Sequence, residues 1–232
     1  MDFFLHVIAE LGQGLPLTLE IVGLSLACSF VLGLGLALVR QYGAGWARNA
    51  VVAYLAIFRG LPLLIQIYVI YFGLAQFAAV RSSFLWPVLR EPFWCAIIAI
   101  SACASAYACE IFRGGLLSVS EKEIDAARAF AMSRLMTLRR IVLPQALRQA
   151  LPAYGNEIVY LVKMSAVASI ITLPEITARA FAIVTETYRV FEVLSVAGAF
   201  YLAINVAATL LVRWLEHALT PRIKPVRAYQ AN

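Results

Sequence analysis

The chain has 232 residues, 62% of them hydrophobic and only 14% charged. That is too apolar for a soluble domain of ordinary make-up, and several runs reach the roughly 20 apolar residues that a bilayer crossing needs. The net charge of +6 does not point to nucleic acid, because the basic residues stand in loops beside apolar runs, as they do in polytopic membrane proteins.

Residues 1–14 read as a short pre-membrane segment. Its start, MDFFLHVIAE, is acidic rather than basic, so no secretory signal is expected. The first span is predicted over 15–39, ending at Arg40. Thr18 and Glu20 are expected at its interface, and Gly23, Ser25, Ala27, Gly33 and Gly35 supply small surfaces for close helix packing. The second span, 50–79, is broken near its beginning by FRGLP, Phe58 to Pro62. Gly60 and Pro62 permit a kink there, and Arg59 needs a partner or a water-lined site. The third span, 93–112, ends in AYACEIFRGG. Glu110 and Arg113 are three residues apart, which puts them on one helical side as an interfacial pair. Cys28, Cys95, Cys103 and Cys109 all lie in apolar runs with no C-x-x-C spacing. They are expected to be small buried hydrophobes, not a disulfide set or a metal site.

Residues 113–150 are expected to form a loop whose core, SEKEIDAARAFAMSRLMTLRRIVLP, is the longest hydrophilic stretch. Ser120 followed by Glu123 predicts a capping box and a helix start. Ile124, Ala127, Ala131, Leu135, Leu138 and Val142 recur at steps of three or four, one face of a helix. Glu123 and Asp125 stand in its first turn, where the helix dipole favours them, and Pro144 ends the pattern. Ala126, Ala127 and Ala131 make a small-residue patch on which another surface can come close. Beyond it, Pro144, Pro152 and Gly155 predict a short surface helix and a broken lead-in to a fourth span, 151–173. That span carries Asn156, Glu157, Lys163, Ser165 and Ser169. Ionisable groups inside a span are costly and are functional candidates. Residues 174–192 are expected to be an external amphipathic segment, 192–212 the fifth span, and the rest a basic tail. With the 113–150 loop inside, thirteen of the 19 Lys and Arg residues fall inside and four (Arg81, Arg90, Arg179, Arg189) outside, while Arg59 and Lys163 lie in spans. This predicts an outside N-terminus and a cytoplasmic C-terminus.

Asp125-Ala126-Ala127, Ala131 six residues after Asp125, and then Ile141, Leu143 and Pro144 resemble the E-A-A-x-x-x-G-x9-I-x-L-P signature of membrane subunits of ABC importers. The spacing matches throughout, with Asp125 for the usual Glu and Ala131 for the usual Gly. FRGLPLLIQ, EIFRGG, LPQALRQALPAYGNE and PEITARA extend the likeness from about residue 14 to 221, toward the polar amino-acid branch. Within it the chain is most similar to the histidine/lysine/arginine/ornithine and opine permeases. The resemblance implies an all-α polytopic fold in one domain, 1–232: the type I ABC importer permease fold, with five transmembrane helices and a cytoplasmic coupling helix. It further implies a bacterial inner-membrane permease for basic amino acids or opines that alternates between outward- and inward-facing states. The partners implied are a second, different permease chain, two ATPase subunits, one of which docks around residues 120–144 of this chain, and a periplasmic binding protein. Asp125, Ala126, Ala127, Ala131 and Ser133 are the implied docking residues.

ATP and Mg are expected on the ATPase subunit, since this chain has no G-x-x-x-x-G-K-[ST] loop. A five-span chain is also too small to enclose a symmetric path by itself. The substrate-path candidates are Asn156, Glu157, Lys163 and Ser165 with Arg59 and Gln66. Glu157 would pair with a cationic side chain, and Asn156 and Ser165 would hold α-groups. KMSAV at Lys163 to Val167 replaces the family's K-D-T-S-L, which suits one of two unlike permeases. Ala131 allows either a continuous helix or a turn at positive φ. The runner-up function is an ion-gradient carrier or channel, with Glu157 and Lys163 as a relay. An intramembrane enzyme lacks a nucleophile, base or metal set, because His6 and His217 stand near opposite ends.

Overall fold

A computed structural model describes residues 2–219, and among them every regular element is helical. In order these are α1 (Asp2–Tyr42), α2 (Gly45–Gly60), α3 (Leu63–Tyr68), the short α4 (Ala78–Arg81) and α5 (Trp86–Leu89), and α6 (Pro92–Leu117). They are followed by α7 (Glu121–Ala129), α8 (Arg134–Thr137), α9 (Leu143–Ser165), α10 (Ile176–Thr187) and α11 (Val190–Leu219). Three helices, α1, α6 and α11, are long and apolar enough to cross a membrane; two bent helix pairs bring the number up to five if each pair is one crossing.

α6 is the centre. Some 72% of its apolar window is buried, against 33% for α1 and 11% for α11. It is rich in Ala, Ser and Cys, and small side chains let neighbours approach. At Gly33 of α1 an added Cβ would lie 2.6 Å from the Ala108 Cβ of α6. Gly115 of α6 meets the Ala146 carbonyl of α9, and Gly155 of α9 meets Val212 of α11. These are the crossings that set the bundle. Gly23 and Gly35 have nothing within 4 Å, and Ala27 is exposed, so of the five small residues on α1 only Ser25 and Gly33 face the core.

Several sequence expectations need correction. The N-terminal segment is not separate: α1 is one helix of 41 residues, and Pro16 lies inside it. At about 1.5 Å per residue it is about 60 Å long, twice a hydrocarbon core. Its N-terminal part is held by tertiary packing, with Val7 and Leu11 buried against Ile176, Ala180, Val193 and Ala197. Thr18 is fully buried. It donates to the Gly14 carbonyl at 3.1 Å and accepts from the Ile176 N–H at 3.3 Å, which ties α1 to the start of α10.

The break expected after Gly60 is present, as a bend of 105°. Pro152 does not break α9, and Pro144 stands within the first turn of that helix. A π turn over Leu138–Val142 precedes it, with the Leu143 N–H donating to the Leu138 carbonyl. The bend in this stretch comes later: 52° between Ile171 and Ile176, beside Thr172 at φ 67°. Three cysteines are buried as expected, but Cys28 is exposed. Arg213, assigned to a basic tail, stands on α11; the tail from residue 220 lies outside the described residues.

Candidate coupling surface and substrate path

The hydrophilic stretch folds as a helix, a turn and a second helix. Ser120 holds the N-cap position of α7 with extended backbone, yet its side chain makes no cap bond, so the predicted capping box does not form. Glu123 instead accepts from the Gln145 amide of α9. α7 ends at Ala129, and Ala131 adopts φ 54°. The Ala131 N–H donates to the Arg128 carbonyl at 2.9 Å and the Met132 N–H to the Ala127 carbonyl at 3.0 Å. These two bonds make a Schellman cap around a left-handed residue. Of the two conformations open to Ala131, the turn is the one formed. α8 then starts from Ser133, whose hydroxyl accepts from the Met136 N–H at 3.3 Å. The single helical face drawn from Ile124 to Val142 is therefore divided at Ala131.

Asp125, Ala126, Ala131 and Ser133 are exposed, whereas Ala127 is 2% exposed and faces inward. Ala127 is thus a packing residue of α7, not part of its outer surface, because α7 turns that side toward the body of the protein. Asp125 pairs with Arg128 at 2.9 Å on the surface, a contact worth little in water. Phe130, 83% exposed at the cap, was missed by sequence reasoning; its signal is a large aromatic beside the usual-glycine position. Between this turn and the end of α1 lies a groove of about 600 Å³, lined by Leu38, Tyr42, Ile124, Arg128, Met132, Arg134, Leu135, Thr137, Leu138 and Val142.

The Glu110–Arg113 pair is present at 3.2 Å. Glu110 also accepts from Arg40 of α1 and lies 3.7 Å from Arg59 of α2. One carboxylate thus gathers three guanidinium groups from three helices. Arg59 also stacks over the Tyr107 ring at 5.2 Å. Arg40, Arg59, Tyr107 and Glu110 border a cavity of about 430 Å³ with Val52, Leu55, Ala56 and Gly60. Sequence reasoning left Arg40 in a loop, and its only signal was its place at the end of an apolar run.

Gln66 is 5% exposed. Its Nε2 donates to the Phe58 carbonyl at 3.0 Å and the Leu61 carbonyl at 2.9 Å. Residue 62, four beyond Phe58, is proline and has no N–H to offer. Gln66 supplies the donor that the proline removed, so its nitrogen is committed to the backbone; its Oε1 is buried without a partner among the described residues.

Glu157 on α9 has a buried Oε2 with no hydrogen-bond partner among the described residues. It stands within electrostatic range of Arg59 and Tyr107. Tyr107 meets Tyr160 edge to face at 6.3 Å. The other path candidates are not gathered here. Asn156 and Lys163 are exposed on α9. Ser165 is fully buried and donates to the Val162 carbonyl at 2.7 Å, back into its own helix. A further buried carboxylate, Glu175, caps α10 through the Ala178 N–H at 2.9 Å and accepts from the Tyr201 hydroxyl at 2.7 Å. Its signal was the Pro-Glu just before a helical pattern, and its role is to lock α10 onto α11.

Residues 29–224 match the family described as binding-protein-dependent transport system inner membrane component. The chain is 47% identical to the octopine transport system permease protein OccM of Rhizobium radiobacter, covering 94% of this chain and 89% of the relative. It is 44% identical to the nopaline transport system permease protein NocM of Agrobacterium fabrum, covering 93% and 90%. It is 35% identical to the histidine/lysine/arginine/ornithine permease HisM of Escherichia coli, covering 91% and 90%. Among solved structures, an amino acid ABC transporter crystallised with histidines superposes with a TM-score of 0.78 at 30% identity, over 90% of this chain and 94% of that one. The MetNI methionine ABC transporter in an inward-facing conformation shares the fold at a TM-score of 0.72 and 19% identity, over 91% and 96%. Together with the helical fold and the turn at Ala131, these place the chain in the family of binding-protein-dependent transport system inner membrane components: it is a permease subunit of an ABC importer, and separate ATPase subunits hydrolyse the ATP.

Proposed function

We propose that this permease carries an opine or a basic amino acid across the bacterial inner membrane, and that Glu157 meets the cationic end of the solute. One observation carries the proposal: the buried Oε2 of Glu157, without a partner among the described residues and within electrostatic range of Arg59. A buried acceptor left without a partner costs about 1–3 kcal/mol, and more when charged. An ionisable group at that cost inside a span is a functional candidate. The names of the relatives, octopine, nopaline and histidine/lysine/arginine/ornithine permeases, support a nitrogen-rich solute. Arg59 divides its attraction between Glu157 and Glu110. A cation arriving at Glu157 competes with Arg59 there and drives it toward Glu110.

In this proposal five crossings are made by α1, by the bent α2–α3 pair, and by α6, α9 and α11, with the N-terminus outside and the C-terminus cytoplasmic. Of the two ATPase subunits in the complex, which carry ATP and Mg, one docks on the 120–144 segment of this chain through Asp125, Ala126, Ala131 and Ser133. A periplasmic binding protein delivers the solute. The second permease is a different homologous chain, which suits the KMSAV sequence at Lys163–Val167.

The test is ATP hydrolysis and uptake by the co-purified complex in lipid, with a panel of binding proteins and amino acids. The wild-type complex is expected to respond to one opine or basic amino acid. Glu157→Gln is expected to lower uptake of that solute at least tenfold, equivalent to about 1.4 kcal/mol, with assembly retained. Unchanged uptake and preference would remove Glu157 from the path. Purification without any ATPase, together with ATP-independent uptake, would favour the ion-gradient carrier.

A further inference from the structure

We propose that the groove between the end of α1 and the α7–α8 turn holds one anionic phospholipid. Its acyl chain lies along Leu38, Ile124 and Leu138, and its phosphate lies on Arg134 and Arg128. The groove holds about 600 Å³ and its walls are mainly aliphatic. One wall is α1, a membrane-crossing helix, and Tyr42 stands at the groove 56% exposed, where an aromatic with a polar tip suits the headgroup level. An apolar slot that continues from a bilayer-crossing surface is fitted by an acyl chain.

Charge selects the headgroup. Arg134 makes no ion pair among the described residues, and Arg128 has Asp125 alone. Arg139 and Arg140 follow on the adjoining π turn, both exposed. Guanidinium groups bind phosphate with paired N–H donors, and basic residues just cytoplasmic of a span attract anionic lipid. The exposed residues assigned to ATPase docking, Asp125, Ala126, Ala131 and Ser133, do not line the groove. Lipid and ATPase therefore address different sides of one turn, and a lipid seated in the groove braces the Ala131 cap from behind. This inference does not rest on which solute is carried.

The experiment uses the whole complex in nanodiscs containing photoactivatable phosphatidylglycerol or the matching phosphatidylcholine, with labelled peptides mapped by mass spectrometry. Phosphatidylglycerol is expected to label the Met132–Val142 stretch. Labelling should fall about fivefold in Arg134→Gln, the weight of one basic residue at an anionic surface, and disappear in Leu138→Trp, which fills the groove. Should Leu138→Trp fail to assemble, Arg134→Gln on the exposed rim still decides. Equal labelling by phosphatidylcholine, labelling unchanged in Arg134→Gln, or a photocrosslinker at Leu138 that captures the ATPase subunit instead would each overturn the proposal.

Discussion

At the scale of the residue, Ala131 carries a left-handed backbone that most helices give to glycine. The strain for alanine is about 1–2 kcal/mol, and glycine's greater freedom in the unfolded chain offsets part of the relief. Ala131→Gly is expected to raise the thermal midpoint of the complex slightly, and Ala131→Val to lower it. A lowered midpoint in the glycine variant would mean that the turn is held by contacts outside this chain. Gln66 gives a larger effect. Gln66→Leu removes the donor to the Phe58 and Leu61 carbonyls in a setting without water, at about 1–3 kcal/mol for each buried group left unmade. Less assembled protein, read by fluorescence size-exclusion, is the expected result, and wild-type yield would show that the break stands without it. A glutamine four residues after a proline was visible in the sequence, but read there as a polar group at depth, a solute contact. Which carbonyl its amide reaches depends on the bend, and the bend is not local to Gln66.

At the scale of the element, helix crossings depend on where a side chain is missing. Gly33→Val is expected to force α1 from Ala108 and cost about 1–3 kcal/mol by overpacking. Gly35→Val, with open space around it, should stay within about 0.5 kcal/mol. Denaturation of the two variants in one detergent separates them, and equal loss would mean that the face of α1 bearing Gly35 is packed in the assembly. Five apolar runs were readable because hydropathy is a property of consecutive residues. Helix ends were less so. α1 keeps its helix through Pro16, and α9 through Pro152, because tertiary packing outweighs one lost hydrogen bond. The fourth-span candidates were drawn from depth alone. Rotation about α9 then divides them: Glu157 is half-buried, Asn156 and Lys163 are exposed, and Ser165 is turned back to its own helix.

At the scale of the molecule, the coupling turn and the polar cluster occupy separate places on one bundle centred on α6. In the proposed docking, force from an ATPase reaches the bundle through short links: Glu123 to Gln145 of α9 and Ile124 packed on the neighbouring core. Ala126→Arg is expected to uncouple hydrolysis from uptake without loss of fold, since Ala126 lies on the outer side. Ala127→Glu should reduce the amount of folded protein, because it buries a charge. Measuring ATPase rate, uptake and yield for both variants tells them apart; normal coupling in Ala126→Arg would move the docking face elsewhere. The sequence by itself determined the membrane class, the apolar runs and the hydrophilic stretch between them, since composition, hydropathy and fixed spacing are read from neighbours in the chain. Only the tertiary structure decided that Ala127 faces inward, that Gln66 serves the Pro62 break, and that Arg40 joins Glu110 across 70 positions. Burial and ion pairing are set by residues that meet only after the helices have packed.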